Sequence, residues 1–115
     1  MHYQGGCHCG AVHFGVDIDL SSPITCNCSY CQQRGSILAF TPAQNFTLEK
    51  GEENLAEYRF NTQTIQHLFC KVCGVQSFAR GQMPDGTRMV AVNVRCLNDI
   101  DLDSLDIKKV DGRSR

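Results

Sequence analysis

The sequence has little surplus charge and no long apolar run. Eleven Lys and Arg stand against twelve Asp and Glu, which leaves a net charge of −1. Such a chain lacks the basic surface that holds nucleic acid or anionic lipid without regard to sequence, so neither is an expected partner. No apolar stretch approaches the roughly 18 residues that a membrane-crossing helix needs. The opening Met-His-Tyr-Gln-Gly-Gly carries neither the basic region nor the apolar core of a secretion signal, so the expected location is cytoplasmic. Tryptophan is absent, and no linker, repeat or low-complexity tract divides the chain. The 115 residues are therefore expected to form one domain, 1–115, with a modest core that a metal crosslink would supplement.

What the chain has in excess is cysteine. Seven of its eight cysteines fall into three tight clusters, Cys7-x-Cys9, Cys26-x-Cys28-x-x-Cys31 and Cys70-x-x-Cys73. In a reducing compartment, cysteines at these spacings read as metal ligands, and the absence of an export signal argues against the disulfide alternative. The two pairs supply four thiolates, enough to close one tetrahedral zinc. The remaining three leave a zinc with one open position. Closed zinc sites are usually structural, whereas a site with three protein ligands can do chemistry.

The spacings suit that division. Cys70-x-x-Cys73-Gly74 allows the chain to reverse while both sulfurs face one ion, and Gly74 can supply a positive φ for the turn. In a straight strand the two side chains of Cys7-x-Cys9 would lie about 6–7 Å apart. Two sulfurs on one zinc lie nearer 4 Å apart, so the chain is expected to bend there, with Gly5, Gly6 and Gly10 beside it. An ion joining pairs about sixty residues apart would tie the first strand to the middle of the sheet. Such ions commonly contribute several kcal/mol or more to folding.

The trio allows other readings. Its fourth ligand could be His67, His13, His8 or a distant Asp, which would make a second structural site. It could borrow Cys96, whose other reading is a small buried hydrophobe. It could also hold no metal. The functional reading is an exchangeable zinc whose fourth position takes water or a substrate thiol. Asn27, Ser29, Tyr30 and Ser36 are the nearby polar donors, and Ser29 also suits the cap of a short helix. Arg34, Lys71, Arg80, Arg95 and Arg113 are candidate partners for substrate carboxylates, although each also reads as a solvated surface charge.

The rest of the chain reads as strands. Val12, Phe14, Val16 and Ile18 alternate onto one face. Ser36–Phe40, Phe46–Glu49, Ala56–Phe60, Ile65–Phe69, Gln76–Arg80 and Arg88–Val94 are short and rich in β-formers, separated by turn signals such as Pro84-Asp85-Gly86. Ser29–Arg34 and Leu102–Leu105 are the only helical stretches expected, before a last strand near Ile107–Val110. The expectation is an all-β fold of small packed sheets.

Taken together, Gly6-Cys7-His8-Cys9-Gly10-Ala11-Val12, Cys26-Asn27-Cys28-Ser29-Tyr30-Cys31 with Gly35-Ser36, and Phe69-Cys70-Lys71-Val72-Cys73-Gly74 resemble the glutathione-dependent formaldehyde-activating (GFA) family, which includes the centromere-protein-V-like (CENP-V-like) proteins. Val92-Asn93-Val94-Arg95-Cys96-Leu97 and Asp111-Gly112-Arg113-Ser114 extend the resemblance to nearly the whole chain. The resemblance implies a zinc-stabilised β-tent fold of small antiparallel sheets. It implies two zinc ions per chain, a structural one on Cys7, Cys9, Cys70 and Cys73 and a catalytic one on Cys26, Cys28 and Cys31. It also implies a carbon–sulfur lyase that joins a glutathione-like thiol to formaldehyde or a related aldehyde. Two other classes compete: a zinc-stabilised binding module without catalysis, and a methionine sulfoxide reductase of the B type. The reductase would need a free nucleophilic cysteine, for which Cys96 alone remains.

Overall fold

Alternation and chain reversal set the architecture of this protein, described in a computed structural model over residues 1–59 and 65–111. Ten strands run in the order β1 (His2–Gly6), β2 (His13–Asp17), β3 (Ile24–Cys26), β4 (Leu38–Pro42), β5 (Phe46–Lys50), β6 (Leu55–Tyr58), β7 (Gln66–Cys70), β8 (Phe78–Gln82), β9 (Arg88–Asn93) and β10 (Lys108–Val110). One helix, α1 (Ser29–Arg34), joins β3 to β4. The remaining helical pieces are 3-10 turns of three residues each, Leu102–Ser104 among them. No helix among the described residues is long and apolar enough to cross a membrane.

The strands form a three-stranded sheet, β1-β2-β5, and a seven-stranded sheet, β10-β3-β4-β9-β8-β7-β6. All pairings are antiparallel except β10 on β3, which run parallel with Val110 opposite Cys26. The fold is therefore mostly β, as expected. In the larger sheet the meander β6–β7–β8–β9 continues through β4 without a break.

The alternating residues of the first long strand segment do face one way. Val12, Phe14, Val16 and Ile18 are each 5% exposed or less. Phe14 stacks on Phe46 of β5 with ring centroids 4.9 Å apart, and Phe46 meets Phe78 of the large sheet at 4.6 Å. This aromatic contact joins the sheets, and Val90, Val92, Val94, Leu68 and Leu97 complete the buried layer around it. Aromatic pairs at such distances contribute about 0.5–1.5 kcal/mol each beyond the area they bury.

Several expected strands are shifted. The segment expected at Ser36–Phe40 is β4 at Leu38–Pro42, because its register against β9 runs from Leu38 opposite Asn93 to Pro42 opposite Met89. The segment expected to end at Phe60 is β6, and Phe60 lies outside the described residues. Two strands carried no signal in the sequence. β1 contains Gly5 and Gly6, weak strand formers that here pair with β2. β3 is only three residues long and is held between β10 and β4.

Candidate metal centres

Four cysteine sulfurs meet where the two sheets approach. Cys7 and Cys9 lie in the turn between β1 and β2; Cys70 ends β7 and Cys73 lies in the turn before β8. Their ligand atoms all lie within 4.8 Å of one another. Cys7 Sγ is 3.6 Å from Cys9 Sγ, and Cys9 Sγ is 3.7 Å from Cys70 Sγ. A tetrahedral ion with metal–sulfur bonds of about 2.3 Å requires sulfurs about 3.8 Å apart, so the donor set fits zinc.

Both turns fold as the sequence led us to expect, with one change of reason. Gly74 adopts φ +80°, closing the knuckle with its N–H on the Cys70 carbonyl at 2.7 Å. Gly6, however, supplies close approach rather than freedom of φ: a Cβ there would run into the Val12 carbonyl oxygen. That contact lets the Cys7 N–H reach the Val12 carbonyl at 3.1 Å and the Val12 N–H reach Cys7 Sγ at 3.3 Å.

Backbone amides also aim at the second pair. Val72 and Cys73 N–H point at Cys70 Sγ, at 3.4 and 3.5 Å. Amide donors from Val75 and Cys9 pull the Cys73 thiol down to about 6, so it is ionised at neutral pH. Cys9 behaves oppositely. The Ala11 amide lowers it, but burial and the neighbouring cysteines outweigh that and push it up to about 11. Without a metal, the surroundings thus pull Cys73 toward thiolate and Cys9 toward thiol. A cation among them favours the deprotonated form of all four.

The second centre is local. Cys26 ends β3, Cys28 caps α1 and Cys31 lies in its first turn, with all three ligand atoms within 4.8 Å of one another. Among the described residues no further His, Cys, Asp or Glu joins them. The three half-buried sulfurs offer zinc the same donor chemistry with one ligand fewer. The expected cap, Ser29, is instead the first helical residue. Cys28 Sγ accepts the Cys31 N–H at 3.4 Å, so the ligand sulfur does the capping. Cys26 is anchored by β10, where the Asn27 N–H also donates to the Val110 carbonyl at 3.2 Å.

The alternative fourth ligands lie elsewhere. His8 is exposed, and His13 pairs with Glu49 at 2.8 Å. His67, on β7, packs its ring against Tyr30 with centroids 4.3 Å apart. Burial and then the Arg34 charge hold His67 below the usual histidine range. Cys96 lies on the side of the four-cysteine centre. Burial, followed by the charges of Cys7 and Cys73, pushes its thiol up to about 11, which suits a neutral thiol rather than a reductase nucleophile.

Gln76 carried no signal in the sequence. It is 8% exposed, and its side-chain oxygen accepts the Tyr30 hydroxyl at 2.9 Å and Arg34 Nε–H at 3.2 Å. Its own carbonyl accepts Asn93 Nδ2 at 2.9 Å. The Tyr30 hydroxyl is thus committed to Gln76, and Ser36 is buried. Arg113, another candidate from the sequence, lies outside the described residues.

With these two centres in place, the family model for the glutathione-dependent formaldehyde-activating enzyme matches residues 2–108. This chain belongs to the GFA family. Its solved neighbours include a crystal structure of a Rhodobacter sphaeroides protein, a structural-genomics target. That structure superposes with a TM-score of 0.82 at 32% sequence identity, covering 92% of this GFA chain and 97% of the other.

Proposed function

We propose that this GFA protein is a zinc-dependent carbon–sulfur lyase that binds a small thiol, glutathione or a relative, at Cys26, Cys28 and Cys31 and promotes its addition to formaldehyde or a related aldehyde. The observation that carries the reading is a three-sulfur centre that no fourth ligand closes among the described residues, in a chain of this family. Cys7, Cys9, Cys70 and Cys73 hold a second zinc whose role is structural. A zinc on the trio would supply ionisation of the incoming thiol.

The size of that contribution is bounded. A free thiol with pKa near 8.5 is about 3% thiolate at pH 7, so ionisation contributes at most about 30-fold, or roughly 2 kcal/mol. Positioning must supply the rest. The sulfur attacks the carbonyl carbon, a carbon–sulfur bond forms, the carbonyl π bond opens, and the oxygen takes the proton that the thiol gave up. No oxidant or reductant is involved. Asn27 and Ser29, exposed and alternating with the ligand cysteines, are the polar residues nearest the trio in the chain that could face the developing alkoxide.

Calorimetric titration of glutathione into the zinc-loaded protein tests the reading, with Cys26→Ser as the control. Binding that disappears in Cys26→Ser, together with aldehyde adduct formation above the uncatalysed rate, is the expected result. Absence of thiol binding would leave a zinc-stabilised binding module.

A further inference from the structure

Arg34 is a cation held in place without an anionic partner among the described residues. It follows Cys31 by three positions on α1, and residues so spaced lie on adjacent turns, about 5–6 Å apart at Cβ. Its Nε–H donates to the buried Gln76 side chain, which the Tyr30 hydroxyl also engages. Its guanidinium carbon lies 5.6 Å from the centre of the Tyr30 ring and 5.9 Å from that of Phe69. These neighbours orient the group but bring no negative charge. The Lys and Arg ion pairs among the described residues engage Arg59, Arg80 and Lys108, not Arg34. One of the five guanidinium N–H bonds is used on Gln76 and the Tyr30 side chain also hydrogen-bonds the group, which leaves donors over for a ligand.

The surroundings have room for one. Arg34 lines a cleft of about 460 Å³ with Tyr30, Gln33, Tyr58, Phe69 and Gly74. Tyr30 and Tyr58 stack there with centroids 5.5 Å apart. The cleft thus has aromatic walls, a fixed planar cation, and the trio one helical turn away. The other arginines are less suited. Arg80 faces Glu52 at 3.7 Å, and neither it nor Arg95 lines this cleft.

The geometry points to Arg34 as the specificity-determining residue, one that binds a carboxylate of the thiol taken at the trio through its planar fork. This inference rests on the trio being the thiol site. It makes thiol acids the preferred substrates and leaves thiols without a carboxylate as poor ones. Because Arg34 is exposed, the expected preference is moderate, about ten-fold.

The test compares glutathione with its diethyl ester, which keeps the thiol and masks both carboxylates. Each is titrated by calorimetry into the zinc-loaded wild type, Arg34→Gln and Arg34→Lys. The wild type should bind glutathione about ten-fold tighter than the ester. Arg34→Gln should remove that preference and leave ester affinity unchanged. Arg34→Lys, which keeps charge but not the fork, should retain only part of it. A ten-fold preference that survives in Arg34→Gln, or a wild type that binds both compounds equally, overturns the assignment of Arg34 alone. A wild type that binds neither overturns the thiol site and this inference with it. Should Arg34→Gln fail to fold, the wild-type comparison and Arg34→Lys still decide.

Discussion

The two cysteine centres use the same sulfur chemistry on very different chain geometry. The four-cysteine centre joins two turns on two sheets, and Cys70 follows Cys9 by 61 positions. The trio spans only Cys26 to Cys31, and the helix it caps buries none of its residues. A crosslink removes more freedom from the unfolded chain when it closes a long loop than when it closes a turn. A metal at the first centre therefore holds the architecture together, whereas a metal at the second constrains little beyond its own turn. Under the proposed function, the trio could therefore take up an outside ligand without loosening the fold.

The proposed crosslink is tested most directly at Cys70, which is fully buried and whose sulfur meets that of Cys9 across the sheets. Cys70→Ser should cost several kcal/mol, comparable to the whole stability of a small domain. Circular dichroism should then show no cooperative melt, and a wild-type melting temperature would refute the crosslink. Next in size is Gly6→Ala, which drives a methyl group into the Val12 carbonyl and displaces Cys7. Overpacking of this kind costs about 1–3 kcal/mol. Gly74→Ala, strained in φ but with open space around its new Cβ, should cost only about 1–2 kcal/mol. Urea midpoints for the two variants would rank them.

On the other side of the comparison, Cys26→Ser should lower bound zinc from two per chain to one while the melting temperature stays within a few degrees. Metal analysis beside a thermal melt checks both halves, and equal loss of fold in Cys26→Ser and Cys70→Ser would erase the division of labour.

The smallest effect concerns His67. Its folded-state pKa is depressed, so between that value and about 6.5 the unfolded chain binds more protons than the folded one. His67 therefore makes stability fall as pH drops below about 6.5 and has no such effect above it. His67→Gln should flatten that part of the stability profile, as measured by urea unfolding at stepped pH.

Much of this was legible in the sequence because it is local. Val12, Phe14, Val16 and Ile18 showed their alternation, and the three cysteine spacings showed two separate ligand groups. What was hidden depends on partners distant in the chain. β1 carries Gly5 and Gly6, which signal a turn, and becomes a strand because β2 offers a register. β3 is set by β10, which returns more than eighty residues later. Ser29 looked like the helix cap by residue type, but the geometry that brings three sulfurs together gives the Cys31 N–H to Cys28. Gln76 lies 46 residues from Tyr30 and 42 from Arg34, so nothing near Arg34 separates it from the other cationic side chains.

The most direct test of the account is a crystal of the zinc-loaded protein soaked with glutathione. If the trio is the thiol site, glutathione sulfur lies about 2.3–2.4 Å from the metal at Cys26, Cys28 and Cys31, with all three cysteines still bound. A protein side chain fixed in that fourth position, or a trio without metal in zinc-replete crystals, would contradict it.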